Sequence, residues 1–118
     1  MTKYIVAIAF ILSLAGYANA NMSDAYDRTT DVKKIAWMDK GKKVIKLKLK
    51  DPSSAQFRHV YFHRVDDNIP MTCGEVNSKN SFGGYIGFQK FVSAGSLELT
   101  FLQEEVADFH NIWNRMCI

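Results

Sequence analysis

The chain has 118 residues, with 15 Lys and Arg against 12 Asp and Glu, a formal net charge of +3 and only two cysteines. Such a length holds one domain of ordinary size, and so mild a charge excess does not mark a nucleic-acid binder by itself. The sequence contains no repeats, low-complexity tracts or internal linker.

At the N-terminus Lys3 precedes an apolar run from Tyr4 to Leu14, then Gly16 and the triplet Ala18-Asn19-Ala20. This order of basic, apolar and small residues is that of a secretory signal cleaved after Ala20, so residues 1–20 are read as a signal peptide and 21–118 as a single domain. The run is too short for the roughly 20 residues that span a bilayer, and no later segment qualifies. No cysteine follows it to carry a lipid. Removing Lys3 leaves fourteen basic against twelve acidic residues, a net charge of +2. A domain this small buries only about 60–70% of its unfolded surface and gains from a covalent staple. An even pair of cysteines in an exported chain predicts a Cys73–Cys117 disulfide. It would close a loop of about 45 residues and contribute on the order of 4 kcal/mol in the chain-entropy model.

Residues 21–30 lack periodicity and read as a loose start. Asp31 is placed to cap a helix in which Val32, Ile35 and Ala36 recur at helical spacing, with Gly41 interrupting the pattern. From Lys42 to Lys50 two patterns compete: Val44, Ile45 and Leu49 fit one helical face, while Ile45, Leu47 and Leu49 alternate as in a strand. Helix is preferred, because straight-chain residues favour it and Asp51-Pro52 supplies a stop. Lys33, Lys34, Lys40, Lys42, Lys43, Lys46, Lys48 and Lys50 crowd this stretch, relieved only by Asp39. Such a run is ordinarily a solvated face; the alternative is contact with an anionic surface such as membrane headgroups, cell-wall polymer or DNA.

Strands are predicted over Phe57–Val65, ended by a turn at Asp66-Asp67-Asn68, then over Met71–Asn77, Tyr85–Val92 and Leu97–Phe101. The last has the cleanest period of two, with Leu97, Leu99 and Phe101 on one face. A closing helix follows, with an apolar stripe of Val106, Phe109, Ile112, Trp113 and Met116. Its first turn holds Glu104 and Glu105, and its last Arg115. The sum is an α+β fold: a small antiparallel sheet of about four strands, with an N-terminal and a C-terminal helix laid on one face and one disulfide joining Cys73 to Cys117.

The densest signal runs from Cys73 to Phe91, CGEVNSKNSFGGYIGFQKF, with LKDPSSAQF at Leu49–Phe57 upstream. Asn77, Asn80, Gly83 and Gly84 tolerate positive φ, so a shaped hairpin loop accounts for them. The sharper reading is a recognition loop in which Asn77 and Asn80 offer amides, Lys79 a charge, and Phe82, Tyr85 and Phe88 rings. Walker spacing for a phosphate cradle is missing. These two stretches resemble a family of small exported proteins of bacteria, phages and prophages, with the patterns LKDPxSAxF and CGxVNxKNxFGGYxGFxxF. The resemblance covers roughly residues 44–92 and implies a shared fold; it says nothing of chemistry.

His59 and His63 lie four apart on the first strand and are expected on one face with Tyr61. Metal ligation needs three or four converging groups, however, and no second paired motif is present. Cys73 is a conceivable thiol nucleophile only if the disulfide is absent. The pairs Asp66-Asp67 and Glu104-Glu105 are neighbours, which point apart on a strand or helix. With no serine elbow, zinc helix or nucleotide fingerprint, the leading expectation is a small binding module of the periplasm or medium. It would be an inhibitor, immunity or exclusion factor acting on another envelope protein or a cell-wall component. No cofactor, metal or nucleic acid is expected. The alternatives are an envelope hydrolase or other enzyme using His59, His63 or Glu75, and a structural accessory of an envelope assembly.

Overall fold

The structure, a computed structural model, describes residues 30–66 and 68–118. The expected signal peptide and loose start up to residue 29, and Asp67 of the expected turn, lie outside the described residues. Lys34–Ile118 forms one compact unit. Residues 30–33, the first turn of helix α1 (residues 30–48), belong to the other, Met1–Lys33. After a 3-10 turn at Pro52–Ser54 come β1 (Gln56–Val65), β2 (Ile69–Asn77), β3 (Gln89–Ser93) and β4 (Thr100–Leu102). Helix α2 (Phe109–Cys117) closes the chain. The four strands form one antiparallel sheet in the order β1-β2-β3-β4.

Strand alternation sorts the core into two layers, one on each face of the sheet. On one face Val76, Phe91 and Leu102 are buried with Ile45 of α1, and the Phe57 ring meets Phe91 edge-on at 5.7 Å. On the other, Val65, Met71, Cys73 and Val92 are buried with Phe109 and Cys117 of α2. The two helices therefore cover opposite faces, which corrects the expectation that both lie on one. The residues of β2 show why: Met71 and Cys73 point one way and Thr72 and Val76 the other, yet all four are buried. The Cys73–Cys117 disulfide ties α2 to the central strand, with the two Cα atoms 5.9 Å apart.

Gly41 does not interrupt α1. It is buried within a continuous helix, and a Cβ there would lie 2.8 Å from both Cβ and Oγ1 of Thr72. The missing side chain lets the helix backbone settle onto the sheet. Around this contact the core is polar: Thr72, Ser93 and Thr100 are fully buried. Thr72 Oγ1 donates to the Trp37 carbonyl at 3.3 Å, the Ser93 and Thr100 hydroxyls share a 2.7 Å hydrogen bond, and Thr100 Oγ1 donates to the Ser96 carbonyl. Trp37 Nε1 is buried without a partner among the described residues, a cost of roughly 1–3 kcal/mol.

The inward stripe of α1 runs through Trp37, Met38, Gly41 and Ile45 and continues to Leu49 just past its end, while Val32 and Ile35, expected on the core side, are 63% and 55% exposed. Lys34, Lys42 and Lys48 flank this stripe and lay their ammonium groups near the rings of Phe62, Phe57 and Phe101. Part of the lysine run is thus packing by long stems with charged ends.

Three further elements differ from expectation. The third strand starts at Gln89, not Tyr85, because residues 78–88 form a loop with their own hydrogen bonds. Leu97 and Leu99 lie in a 3-10 turn and are about half exposed, and the short β4 instead buries Thr100 and Leu102. Leu99 and Phe101 line, with Met71 and Met116, an apolar groove of about 360 Å³ beside α2. Glu104 and Glu105 form a separate 3-10 turn before α2 and are not its first turn.

Candidate functional site

The two sequence motifs meet in space. Asp51-Pro52 ends the run after α1 and starts the 3-10 turn, and this turn places Ser54 against the loop that joins β2 to β3. Ser54 Oγ donates to the Asp51 carbonyl at 2.7 Å and accepts from Lys79 N at 2.8 Å. The Tyr85 hydroxyl donates to the Ser54 carbonyl at 3.2 Å. One serine therefore anchors both arms of the loop, which are joined to each other by a bridge between Lys79 and Tyr85.

Within the loop, Asn80 N donates to the Gly84 carbonyl and Gly83 N to the Asn80 carbonyl, closing a tight turn with Gly83 at φ 83°. The Asn80 side-chain oxygen accepts from Phe82 N at 2.9 Å and Gly84 N at 3.1 Å. Asn77 Oδ1 accepts from Gly87 N, where φ is 99° and a side chain would be strained. Both asparagine oxygens are thus spent on shaping backbone. The rings divide in the same manner. Phe88 is held under the Arg58 guanidinium at 3.8 Å, and Arg58 also pairs with Glu75 at 2.8 Å. Tyr85 lies beneath the Lys79 ammonium at 5.5 Å. Phe82, at the tip, is 97% exposed.

Beside the loop is a cavity of about 210 Å³ whose wall includes Lys48, Lys50, Ser78, Lys79 and Asn80. Lys48 is paired with Glu105 at 2.8 Å. Lys50 and Lys79 have no carboxylate within ion-pair distance among the described residues. Ser54, Arg58, Lys48 and Lys50 were not among the site residues expected from sequence. Ser54 and Lys50 lie in the upstream motif, which was the available signal; nothing in the sequence places Arg58 over Phe88.

Comparison with family models, with curated proteins and with solved structures finds no match for this chain.

The histidines and Glu75 do not form a cluster. A β-bulge between Arg58 and Tyr61 puts His59 at φ 54° and breaks the alternation that would have set it on one face with Tyr61 and His63. His63 pairs with Met71 and Arg58 with Glu75, four residues further along β2 or roughly 13 Å away at strand rise. Among the described residues no three His, Cys, Asp or Glu side chains are grouped to hold a metal ion. Both cysteines are in the disulfide, so neither is a free thiol nucleophile. Burial pushes the Tyr61 phenol above its usual range, and its hydroxyl donates to the Cys117 carbonyl at 2.7 Å.

Proposed function

We propose that this protein is an exported binding module that presents its β2–β3 loop to another envelope protein or to a cell-wall component. It would act there as an inhibitor, immunity or exclusion factor. The observation that carries this reading is Phe82, a fully displayed ring on a turn whose backbone amides at Asn80, Phe82, Gly83 and Gly84 are all hydrogen-bonded. Burying such a ring on a partner contributes about 1.5–3 kcal/mol. A braced loop loses little conformational entropy on binding. Export is supported by the N-terminal pattern of Lys3, the apolar run and Ala18-Asn19-Ala20, and by a disulfide that persists in oxidising compartments.

The test is capture from envelope fractions, identification of the bound component, and titration of that component with wild type and with Phe82→Ala. A weakening of roughly 10–100-fold is expected, with the thermal midpoint unchanged. Equal affinity of the two forms would remove the loop from recognition. Mass spectrometry of exported protein should give a chain beginning at Asn21.

A further inference from the structure

The cavity beside the loop is lined by Lys48, Lys50, Lys79, Ser78 and Asn80, with Leu49 and Ile86 as its apolar part and Glu104 as its carboxylate. We propose that it binds the phosphate group of a phosphate ester. Three lysines line it from two segments, Lys48 and Lys50 at and just past the end of α1 and Lys79 in the loop. Glu105 engages Lys48, and Glu104 also lines the wall. Lys50 and Lys79 form no ion pair among the described residues, and three lysines against these two glutamates leave the site one net positive charge. Asn80 has given its side-chain oxygen to two backbone amides, so the group it has left to offer is its NH₂. Ser78, 4% exposed, adds a hydroxyl to the wall.

The ligand class follows from the chemistry of these donors. A carboxylate is best held by the planar fork of an arginine, and no arginine lines the cavity. Lysines on two segments that border one recess suit a phosphate, which carries more negative charge and accepts from several directions, toward which their flexible stems can turn. A volume near 210 Å³ leaves room for part of the alcohol that bears the phosphate. The inference rests on the loop reading only in that the cavity and the loop share Lys79 and Asn80.

The experiment is titration of the purified, disulfide-bonded protein with glycerol 3-phosphate and with inorganic phosphate, followed by amide chemical shifts, with glycerol and acetate as controls. Saturable shifts at Lys50, Ser78, Lys79 and Asn80 are expected with the phosphates alone. Lys50→Gln with Lys79→Gln should weaken binding by about tenfold or more. Lys43→Gln with Lys46→Gln, exposed residues on the outer side of α1, changes the net charge equally and should alter binding less than about twofold. Thermal midpoints of both variants report whether the fold is kept, and Lys50→Arg with Lys79→Arg, retaining charge, should keep most of the affinity. Absence of saturable shifts, or equal weakening by the two glutamine pairs, would overturn the proposal. Retention by vesicles of phosphatidic acid in phosphatidylcholine, competed by glycerol 3-phosphate, assigns the ester to a lipid; soluble binding without retention assigns it to a free ester. Because this titration uses the protein alone whereas partner capture is read through Phe82, either can fail without the other.

Discussion

Gly41→Ala is the substitution that separates the two readings of the first helix. In an exposed helix it would stabilise by about 1 kcal/mol, since glycine is the poorer helix former by that amount. Here the added Cβ would sit 2.8 Å from Thr72 Cβ and Oγ1 and 3.0 Å from its Cγ2, and Thr72 is fully buried. Neither partner is the free end of a flexible chain, so α1 must move off the sheet; overpacking of this kind costs about 1–3 kcal/mol. The movement also strains the Thr72 hydroxyl's bond to the Trp37 carbonyl, worth about 1 kcal/mol. Together these outweigh the propensity gain and leave a net loss of about 1–3 kcal/mol. At roughly 4–8 °C per kcal/mol for a domain of this size, the thermal midpoint should fall by at least about 4 °C. Urea titration should show a lower midpoint with an unchanged slope. A rise in stability would refute the seating of α1 on Thr72.

Reduction of the disulfide, whose cysteines are 44 residues apart, should remove about 4 kcal/mol and lower the thermal midpoint by roughly 15–30 °C. Non-reducing digestion should yield one linked Cys73/Cys117 peptide pair, and two free thiols in exported protein would contradict it. Asn80→Ala withdraws the acceptor of two turn amides, so hydrogen exchange at Phe82 and Gly84 should accelerate while the thermal midpoint shifts little, because the loop is exposed. Tyr61 holds its phenolic proton more tightly when folded. Its contribution is therefore present below the unfolded value near pH 10 and is lost as pH rises through the raised one. Tyr61→Phe should cost about 1 kcal/mol at neutral pH through the lost bond to the Cys117 carbonyl, and should flatten the alkaline fall of the thermal midpoint.

What could be read from the chain alone was whatever depends on local pattern and parity. The aromatic and β-branched run at Phe57–Val65 forms β1, the stop at Asp51-Pro52 ends the run after α1, and the closing apolar stripe packs as α2 from Phe109 onward, with Val106 lying before the helix. The two cysteines pair as expected, since no other partner was available. Asn77, Lys79, Asn80, Phe82, Tyr85 and Phe88 are close in sequence and lie at the end of β2 or in the loop after it, although Tyr85 and Phe88 were expected in the third strand. Their separate tasks were not legible. That Asn80 spends its oxygen on Phe82 and Gly84 while Phe82 is left bare follows from turn geometry, and that Lys50 comes beside Lys79 follows from Ser54 joining distant segments. Tertiary structure also decided the layers. Periodicity marks an apolar face but not which side of a sheet it meets, so only assembly showed α1 and α2 on opposite faces. Gly41 has the same origin: within the chain a glycine reads as a break, and against Thr72 it is the one residue small enough for the helix to come to rest.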